Sequence, residues 1–385
     1  MKKNDINRRR FLLGLAGAPL IGGCATTGKE EKAEEARIVK YNTLGKTGLK
    51  VSDISLGAAT EASVLHYAYD RGINLYDTAE QYNNGQHEVD LGKAFKTKRD
   101  KVIVINKHLH GFTSKISRKD VIDRFDASLK RMDTDYIDIA MIHHLADTET
   151  IGNEELMGAY ETLKKQGKFR HFGFSTHDTE KVCPAAIASG LFEVMLVIYN
   201  GVQYPNRSEM ITRARESGIG VLAMKTMAGR QQDRIKELVG EKTTFSQAAI
   251  KWALTDPSVD SVLISMRTFE HIDEYLPASG KSLTEADGKV LEKYTAAVDQ
   301  HYCRIGCTAC QARCPHSVAV NDIMRFGMYY ENYGEEKQAL QEYAALDDAC
   351  KAEACRTCSG ECEAACPHRL SIRERLVKYD HLLRA

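Results

Sequence analysis

Asp77 and Tyr82 follow the short apolar run Ile73-Asn74-Leu75-Tyr76, which reads as a buried strand with both residues just past its C-terminal end. Lys107 closes the β-branched run 102–106, and His143 closes 137–142. An acid, a phenol, a lysine and an imidazole at the ends of successive strands converge if those strands form a barrel. The C-terminal face of such a barrel is where its chemistry is done. A phenol with an ordinary pKa of about 10 is protonated at neutral pH and needs help to release its proton. An ammonium held by a carboxylate stabilises the phenolate left behind, and an imidazole orients a carbonyl oxygen. The set therefore suits polarising a carbonyl while a hydride reaches its carbon. Taken singly, each residue has a plainer role: a surface lysine, a hydrogen-bonded histidine, an aspartate capping a turn. Their joint placement carries the functional reading. His144, adjacent but on the opposite side of its strand end, is expected to be structural.

A second chemistry is written into the tail. Nine of the 11 cysteines fall between residues 303 and 366. Cys303, Cys307, Cys310 and Cys314-Pro315 are followed by Cys355, Cys358, Cys362 and Cys366-Pro367. Cysteines two or three residues apart with a distant partner before proline resemble the bacterial ferredoxin module, which holds two [4Fe–4S] clusters. The usual repeat has two residues between successive cysteines. Three separate Cys303 from Cys307 and Cys358 from Cys362, so Cys303 and Cys362 fit it least well. Cys350 is a spare or an alternative ligand, and Cys183 reads as a small buried apolar residue. Disulfides are the competing reading, and a pair of zinc sites another. Cys-x-x-Cys with a trailing Cys-Pro is cluster spacing rather than loop-closing or zinc spacing.

The elements that position the first four residues follow from periodicity. Residues 41–57 hold two glycine-marked turns between short runs, predicting a hairpin and then a first barrel strand at 53–57. Helices predicted at 61–71, 88–96, 119–132, 153–167, 179–189, 206–217 and 244–254 alternate with strands at 136–142, 170–175, 192–199, 220–226 and 261–265. Eight strand–helix units predict a closed parallel (β/α)8 (TIM) barrel, an α/β fold, over 38–300. A doubly wound sheet is the alternative, but no glycine-rich phosphate turn follows the first strand.

The stretch Arg71–Tyr82, with Asp77 and a tyrosine five residues on, then Lys107 and His143, resembles the aldo-keto reductases, as does the opening hairpin. The resemblance implies that Tyr82 is the general acid, supported by Asp77, Lys107 and His143. It also implies an NADP(H) pocket with nicotinamide contacts from Ser175, Thr176 and Leu196, a stacking ring from Tyr199, and an adenine-side acid in Glu274. Family members usually have Asn and Gln where this chain has Thr176 and Leu196, and leucine cannot hydrogen-bond a carboxamide. The usual 2′-phosphate ligands are replaced by Ser265, Met266 and His271, and Arg267 is the substitute cation. Some aldo-keto reductases carry a ferredoxin-like module at the C-terminus. That implies an α-helical iron–sulfur domain over 301–385, with Cys303, Cys307, Cys310, Cys314, Cys355, Cys358, Cys362 and Cys366 on two [4Fe–4S] clusters.

The chain opens with basic residues, paired arginines before Phe11 and a short apolar core, which reads as a twin-arginine export signal over 1–24. Ile21-Gly22-Gly23-Cys24 resembles a lipobox, which implies a lipid anchor at Cys24. The charged stretch 25–37 is then a solvated tether and the protein is extracytoplasmic, in the periplasm or on its membrane. With 53 basic and 53 acidic residues, nothing in the charge points to nucleic acid. The expected partners are a small carbonyl or alcohol substrate and a redox protein. Such a compartment offers little reduced nicotinamide. Two functions are therefore carried forward: an oxidoreductase of aldo-keto reductase type with iron–sulfur clusters, and an exported electron-transfer or ligand-binding protein that does not turn over nicotinamide.

Overall fold

The computed structural model describes residues 35–58, 61–109, 116–202, 208–229 and 243–384. The export signal, the lipobox Cys24 and most of the tether lie outside the described residues. From Ala36 onward the chain packs as one compact unit.

Eight parallel strands close on themselves: β3 (Ile54–Leu56), β4 (Leu75–Ala79), β5 (Ile103–His108), β6 (Ile137–Ile142), β7 (Phe169–Thr176), β8 (Val194–Ile198), β9 (Gly220–Met224) and β10 (Ser261–Ile264). Pairing of β10 with β3 seals the ring. Helices Ala62–Asp70, Gln86–Phe95, Arg118–Met132, Glu154–Lys165, Thr179–Ser189, Ser208–Glu216 and Phe245–Thr255 lie between the strands, within two residues of the predicted spans. Ser117 and Asp120 form a reciprocal capping box that starts one of them, satisfying amides the first turn leaves without partners.

Two strand ends differ from the sequence reading. β4 runs on to Ala79 and β5 to His108, so Asp77 and Lys107 sit inside their strands rather than just past them. A charged residue on the core face reads as a strand end. Here the two charges neutralise each other, and the ladder continues through Asp77↔Ile105 and Ala79↔Lys107.

The barrel interior is filled by Leu75, Ile105, Ile139, Met141, Val194, Leu196, Leu222 and Leu263. Its lower end is plugged by the antiparallel hairpin β1 (Tyr41–Thr43) and β2 (Lys50–Ser52), which inserts a fully buried Leu44. Gly45 permits this approach: it sits at φ +48°, and a Cβ there would meet the Gly220 amide nitrogen at 2.3 Å. Burying a leucine contributes about 1.5–3 kcal/mol, enough to hold the plug in place.

Beyond the helix Glu285–Val298 the chain turns back over the opposite, open end. Helices Val320–Met328, Glu336–Ala344 and Ile372–Leu383, with a π turn at Tyr329–Tyr333, form this part. The Tyr294 hydroxyl donates to the Ala228 carbonyl (2.9 Å), and Arg267 pairs with Glu335.

Candidate active site

Side chains alternate across a strand, so the inward parity that carries Leu75, Ile105 and Met141 also carries Asp77, Lys107 and His143 to the barrel mouth. They meet in a cavity of about 770 Å³. The Lys107 ammonium is buried and bonded to both carboxylate oxygens of Asp77, with a third bond to the Thr78 carbonyl at 3.2 Å. It lies 4.7 Å from the centre of the Tyr82 ring. His143 stands edge-on to that ring, 5.8 Å between centroids. The Gln81 amide nitrogen donates to His143 Nδ1 at 2.7 Å, which leaves the ring proton on Nε2. All four expected residues line the one cavity.

Tyr82 is placed by an unusual turn. Asn83 (φ +49°), Asn84 (φ +54°) and Gly85 (φ +82°) take the left-handed conformation in succession, which Asn and Gly tolerate best. The phenol is held well above its ordinary pKa, first by burial, then by the charge of Asp77 and by Tyr329, Glu335 and Glu342. Lys107 does not offset this in the resting site, because its charge is engaged by Asp77. Tyr82 is thus a firmly protonated acid, and the lysine acts when the proton leaves.

The far wall of the cavity comes from the C-terminal part, which the sequence reading had assigned to cluster binding alone. Arg325, Phe326, Tyr329, Tyr333, Glu335 and Glu342 all line it. Lys337 and Gln341, one turn apart, donate to Asn83 Oδ1 (3.1 Å) and Asn84 Oδ1 (3.0 Å), so this part grips the turn that carries Tyr82. Lys225, just past β9, was also missed. It stands at φ +57° under Tyr329, donating to its hydroxyl at 3.2 Å. A lysine at a strand end, as at 107, was the available signal. His144 is a correction: its φ of +57° swings the ring back, and it lines the cavity beside Asp178.

Residues 43–237, half of the chain, match the model of the aldo/keto reductase family. The chain belongs to the aldo/keto reductase family. It is an oxidoreductase. Similar proteins include versiconal hemiacetal acetate reductase of Aspergillus parasiticus, 26% identical over 335 residues, covering 66% of this chain and 96% of that protein. A putative voltage-gated potassium channel subunit beta of Schizosaccharomyces pombe is 26% identical over 62% of this chain and 88% of its own length. Among solved structures, the holo form of aldo-keto reductase AKR11C1 from Bacillus halodurans shares the fold, with a TM-score of 0.57 and 21% identity over 66% of this chain and 96% of that chain.

The cofactor residues implied by aldo/keto reductase resemblance are scattered. Ser175 lines the cavity, its hydroxyl accepting from the His144 amide (3.0 Å). Thr176 also lines it, but donates to the Leu145 carbonyl (2.7 Å) and accepts from Asp178 (2.9 Å), so its polar capacity is used within the wall. Tyr199, expected to stack on a nicotinamide, is buried outside the cavity lining. Its hydroxyl bonds Asp256 (2.9 Å) and its ring packs at 5.0 Å from Trp252. It lies three residues past the inward-facing Leu196, on the outward parity. Glu274 also lies outside the lining. Arg267 faces the cavity but is held by the Glu335 carboxylate and the Gly334 carbonyl (2.9 Å). These residues fit a 2′-phosphorylated nicotinamide poorly.

In the tail, Cys303, Cys307, Cys310 and Cys366 line one small cavity whose other walls include Val320, Met324, Leu370 and Ile372. Burial and the sulfurs of Cys310, Cys307 and Cys366 push the Cys303 thiol up to about 12. Cys355 is likewise pushed up to about 11 by burial, Cys314, Cys362 and Cys358. Cys303, Cys307, Cys310 and Cys366 share a cavity, and Cys314, Cys358 and Cys362 act on Cys355, which groups the eight into two crossed sets, with Cys362 also acting on Cys310. Asn321 ties the first loop together, donating to the Cys307 carbonyl (2.8 Å) and accepting from Gly306 (3.0 Å). Cys303 and Cys362, the poorest fits to the repeat, each fall within a set, whereas Cys350 does not line the cavity of the first. The ten described cysteines are free thiols, and among the described residues no three potential ligands converge tightly enough to hold a single metal ion. Four thiols around an apolar space fit a body larger than one ion, as a cubane cluster is. Helix Val320–Met328 stands between the two sites, with Val320 and Met324 on the cysteine side and Arg325 and Phe326 on the Tyr82 side.

Proposed function

We propose that this protein is an exported carbonyl or alcohol oxidoreductase whose C-terminal part binds two [4Fe–4S] clusters. The observation that carries the reading is the joint lining of one cavity by Asp77, Tyr82, Lys107 and His143. A carbonyl oxygen between Tyr82 and His143 receives two donors, the phenol O–H and the imidazole Nε2–H. When the donor delivers two electrons and a proton to the carbonyl carbon, as a hydride or in single-electron steps, charge builds on that oxygen, Tyr82 passes its proton to it, and Lys107, held by Asp77, stabilises the phenolate that remains. The helices of the C-terminal part cover the mouth and limit access of water.

Cys303, Cys307, Cys310 and Cys366 would hold one cluster and Cys355, Cys358, Cys362 and Cys314 the other. When bound, such clusters supply or accept single electrons. No hydride step is assigned to a nicotinamide, because Leu196, Tyr199 and Arg267 do not form the grip it requires. The arginine pair of the opening segment supports export, and export by the twin-arginine route suits a protein folded with its cofactors.

The second reading, a binding or electron-transfer protein without nicotinamide turnover, is favoured by the engagement of Arg267 with Glu335. One comparison separates the two. Anaerobically purified protein is titrated with NADPH by nicotinamide fluorescence, then assayed on a carbonyl panel with NADPH and with a viologen as donor. Turnover with either donor supports the oxidoreductase. Absence of turnover with both, with the cavity still binding ligand, would sink it in favour of the second reading.

A further inference from the structure

A buried charge is retained where a counter-charge or a dense set of hydrogen bonds meets it. Most cations turned into the cavity obey this within the chain. Lys107 has Asp77, Arg267 has Glu335, and Arg325 has Asp322 and Glu342. Lys337 is exposed at the rim. Lys225 differs. Its contacts among the described residues are the Tyr329 hydroxyl at 3.2 Å and the faces of Tyr329 and Tyr333, 4.4 and 5.1 Å from ammonium to ring centroid. None is a carboxylate. Burial opposes its charge, the two phenols outweigh that and favour the ammonium, and the cations Arg325 and Lys107 lie near enough to repel it.

The position also carries a backbone cost. Lys225 adopts φ +57°, a conformation that L side chains other than Asn and Asp rarely take. Two phenols then confine the ammonium at the cavity wall. Tyr329 connects this place to the chemistry, since the same phenol contacts Lys225 and acts electrostatically on Tyr82. Lys225, Tyr82 and His143 line the same cavity, so an anionic group at Lys225 and a carbonyl oxygen at Tyr82 and His143 would share one space.

We propose that Lys225 is an anion subsite and that the substrate is an oxo-carboxylate, its carboxylate on Lys225 and its carbonyl on Tyr82. The substrate carboxylate supplies the counter-charge that Lys225 does not find among the described residues. Tyr329 and Tyr333 act as positioning residues that fix the ammonium. This rests on the carbonyl oxidoreductase reading for the placement of the carbonyl, but its test is a binding measurement that needs no electron donor.

The full chain is titrated by calorimetry with pyruvate and phenylglyoxylate and with their neutral methyl esters. The acids should bind at least tenfold more tightly than the esters. Lys225→Met should abolish that margin while leaving ester affinity within twofold, and Lys225→Arg should restore most of it. The subsite is overturned if acids and esters bind alike or not at all in the wild type, or if the margin survives in Lys225→Met. It is also overturned if inorganic pyrophosphate, and neither acid, depends on Lys225, since the cation would then serve a dinucleotide. Failure of the oxidoreductase reading looks different: the charge margin persists while Tyr82→Phe leaves any turnover unchanged.

Discussion

Gln341 and Asn84 are joined by an amide hydrogen bond of 3.0 Å, which ties the C-terminal part of the chain to the turn that carries Tyr82. Lys337 makes the matching contact to Asn83. Both donors are exposed and both acceptors lie in that turn, so their role is to set its position. A net hydrogen bond contributes about 0.5–1.5 kcal/mol, and about 1.36 kcal/mol is tenfold in rate. The double variant Lys337→Ala, Gln341→Ala should lose up to about tenfold in turnover, with a fall in Tm no larger than two surface hydrogen bonds explain and with ligand affinity nearly unchanged. A large drop in Tm at constant turnover would make these contacts a brace and not a positioning device.

Tyr82→Phe should lower turnover by about two to four powers of ten while preserving fold and binding, the range for a positioned general acid. Lys107→Met should do nearly the same, and the two losses should not add, because the residues act as a unit. The pH profile carries an independent sign. Reduction needs the protonated phenol, and burial with the Asp77 charge raises the Tyr82 pKa well above its ordinary value of 10.0. The acid form thus persists through alkaline pH, and reductive kcat/KM should show no Tyr82 limb below about pH 10. A fall centred near pH 8 that disappears in Tyr82→Phe would contradict that assignment.

Much of the barrel was legible because its signals are local. Apolar period and glycine turns marked the elements within a few residues, and inward parity predicts which side chains reach the mouth. The same parity, applied to Leu196 and Tyr199, would have turned Tyr199 away from the cavity. Two kinds of feature were not legible. Asp77 and Lys107 looked like strand ends because a single sequence does not show that two inward charges cancel across neighbouring strands. The wall formed by Arg325, Tyr329, Tyr333 and Glu335 depends on where a distant segment docks, and no periodicity encodes that. His144 failed for a third reason: one positive φ reverses the direction that alternation assigns.

Glu335 competes for the cation that a 2′-phosphate would need. Glu335→Gln removes that charge and frees Arg267, so the affinity for NADPH should rise several-fold while that for NADH, which lacks the phosphate, should stay level. Fluorescence titration of both dinucleotides reads the difference directly. Equal changes for the two would show that Arg267 does not sit at the phosphate end.

Asp287 links acid stability to the junction between barrel and tail. It caps the helix Glu285–Val298 through Thr284 and accepts from Lys251 (2.6 Å) and Thr243 (2.8 Å). Burial alone would raise its pKa, but these hydrogen bonds outweigh it and lower the carboxyl to about 2. A depressed folded pKa contributes stability that is complete above the unfolded value near 4 and is lost as pH falls towards 2. Hydrogen bonds to a charged group are worth about 1.5–3 kcal/mol, so Asp287→Asn should lower Tm clearly at pH 7. The gap between variant and wild type should narrow below about pH 4 and close only as pH approaches 2. A gap constant across pH 7 to 3 would mean that the carboxylate charge is not what stabilises this junction.

The crossed cysteine sets make a prediction that chain order alone would reverse. Cys366 follows Cys355, Cys358 and Cys362 in sequence, yet it lines a cavity with Cys303, Cys307 and Cys310. Protein purified without oxygen should be brown, with iron near eight atoms per chain if two four-iron cubanes are present. If each set holds one cluster, Cys307→Ser and Cys366→Ser each impair the same cluster, and the double variant should lose about half the iron and no more. Cys358→Ser with Cys366→Ser impairs both clusters, and iron should fall well below half. Cys350→Ala should leave the content unchanged. The sets are wrongly drawn if Cys366→Ser combines without further loss with Cys358→Ser but not with Cys307→Ser. Colourless protein with no iron and no titratable thiols would instead restore the disulfide alternative. Iron analysis and low-temperature electron paramagnetic resonance of the reduced protein distinguish these cases, since each cluster contributes its own signal regardless of whether any substrate is turned over.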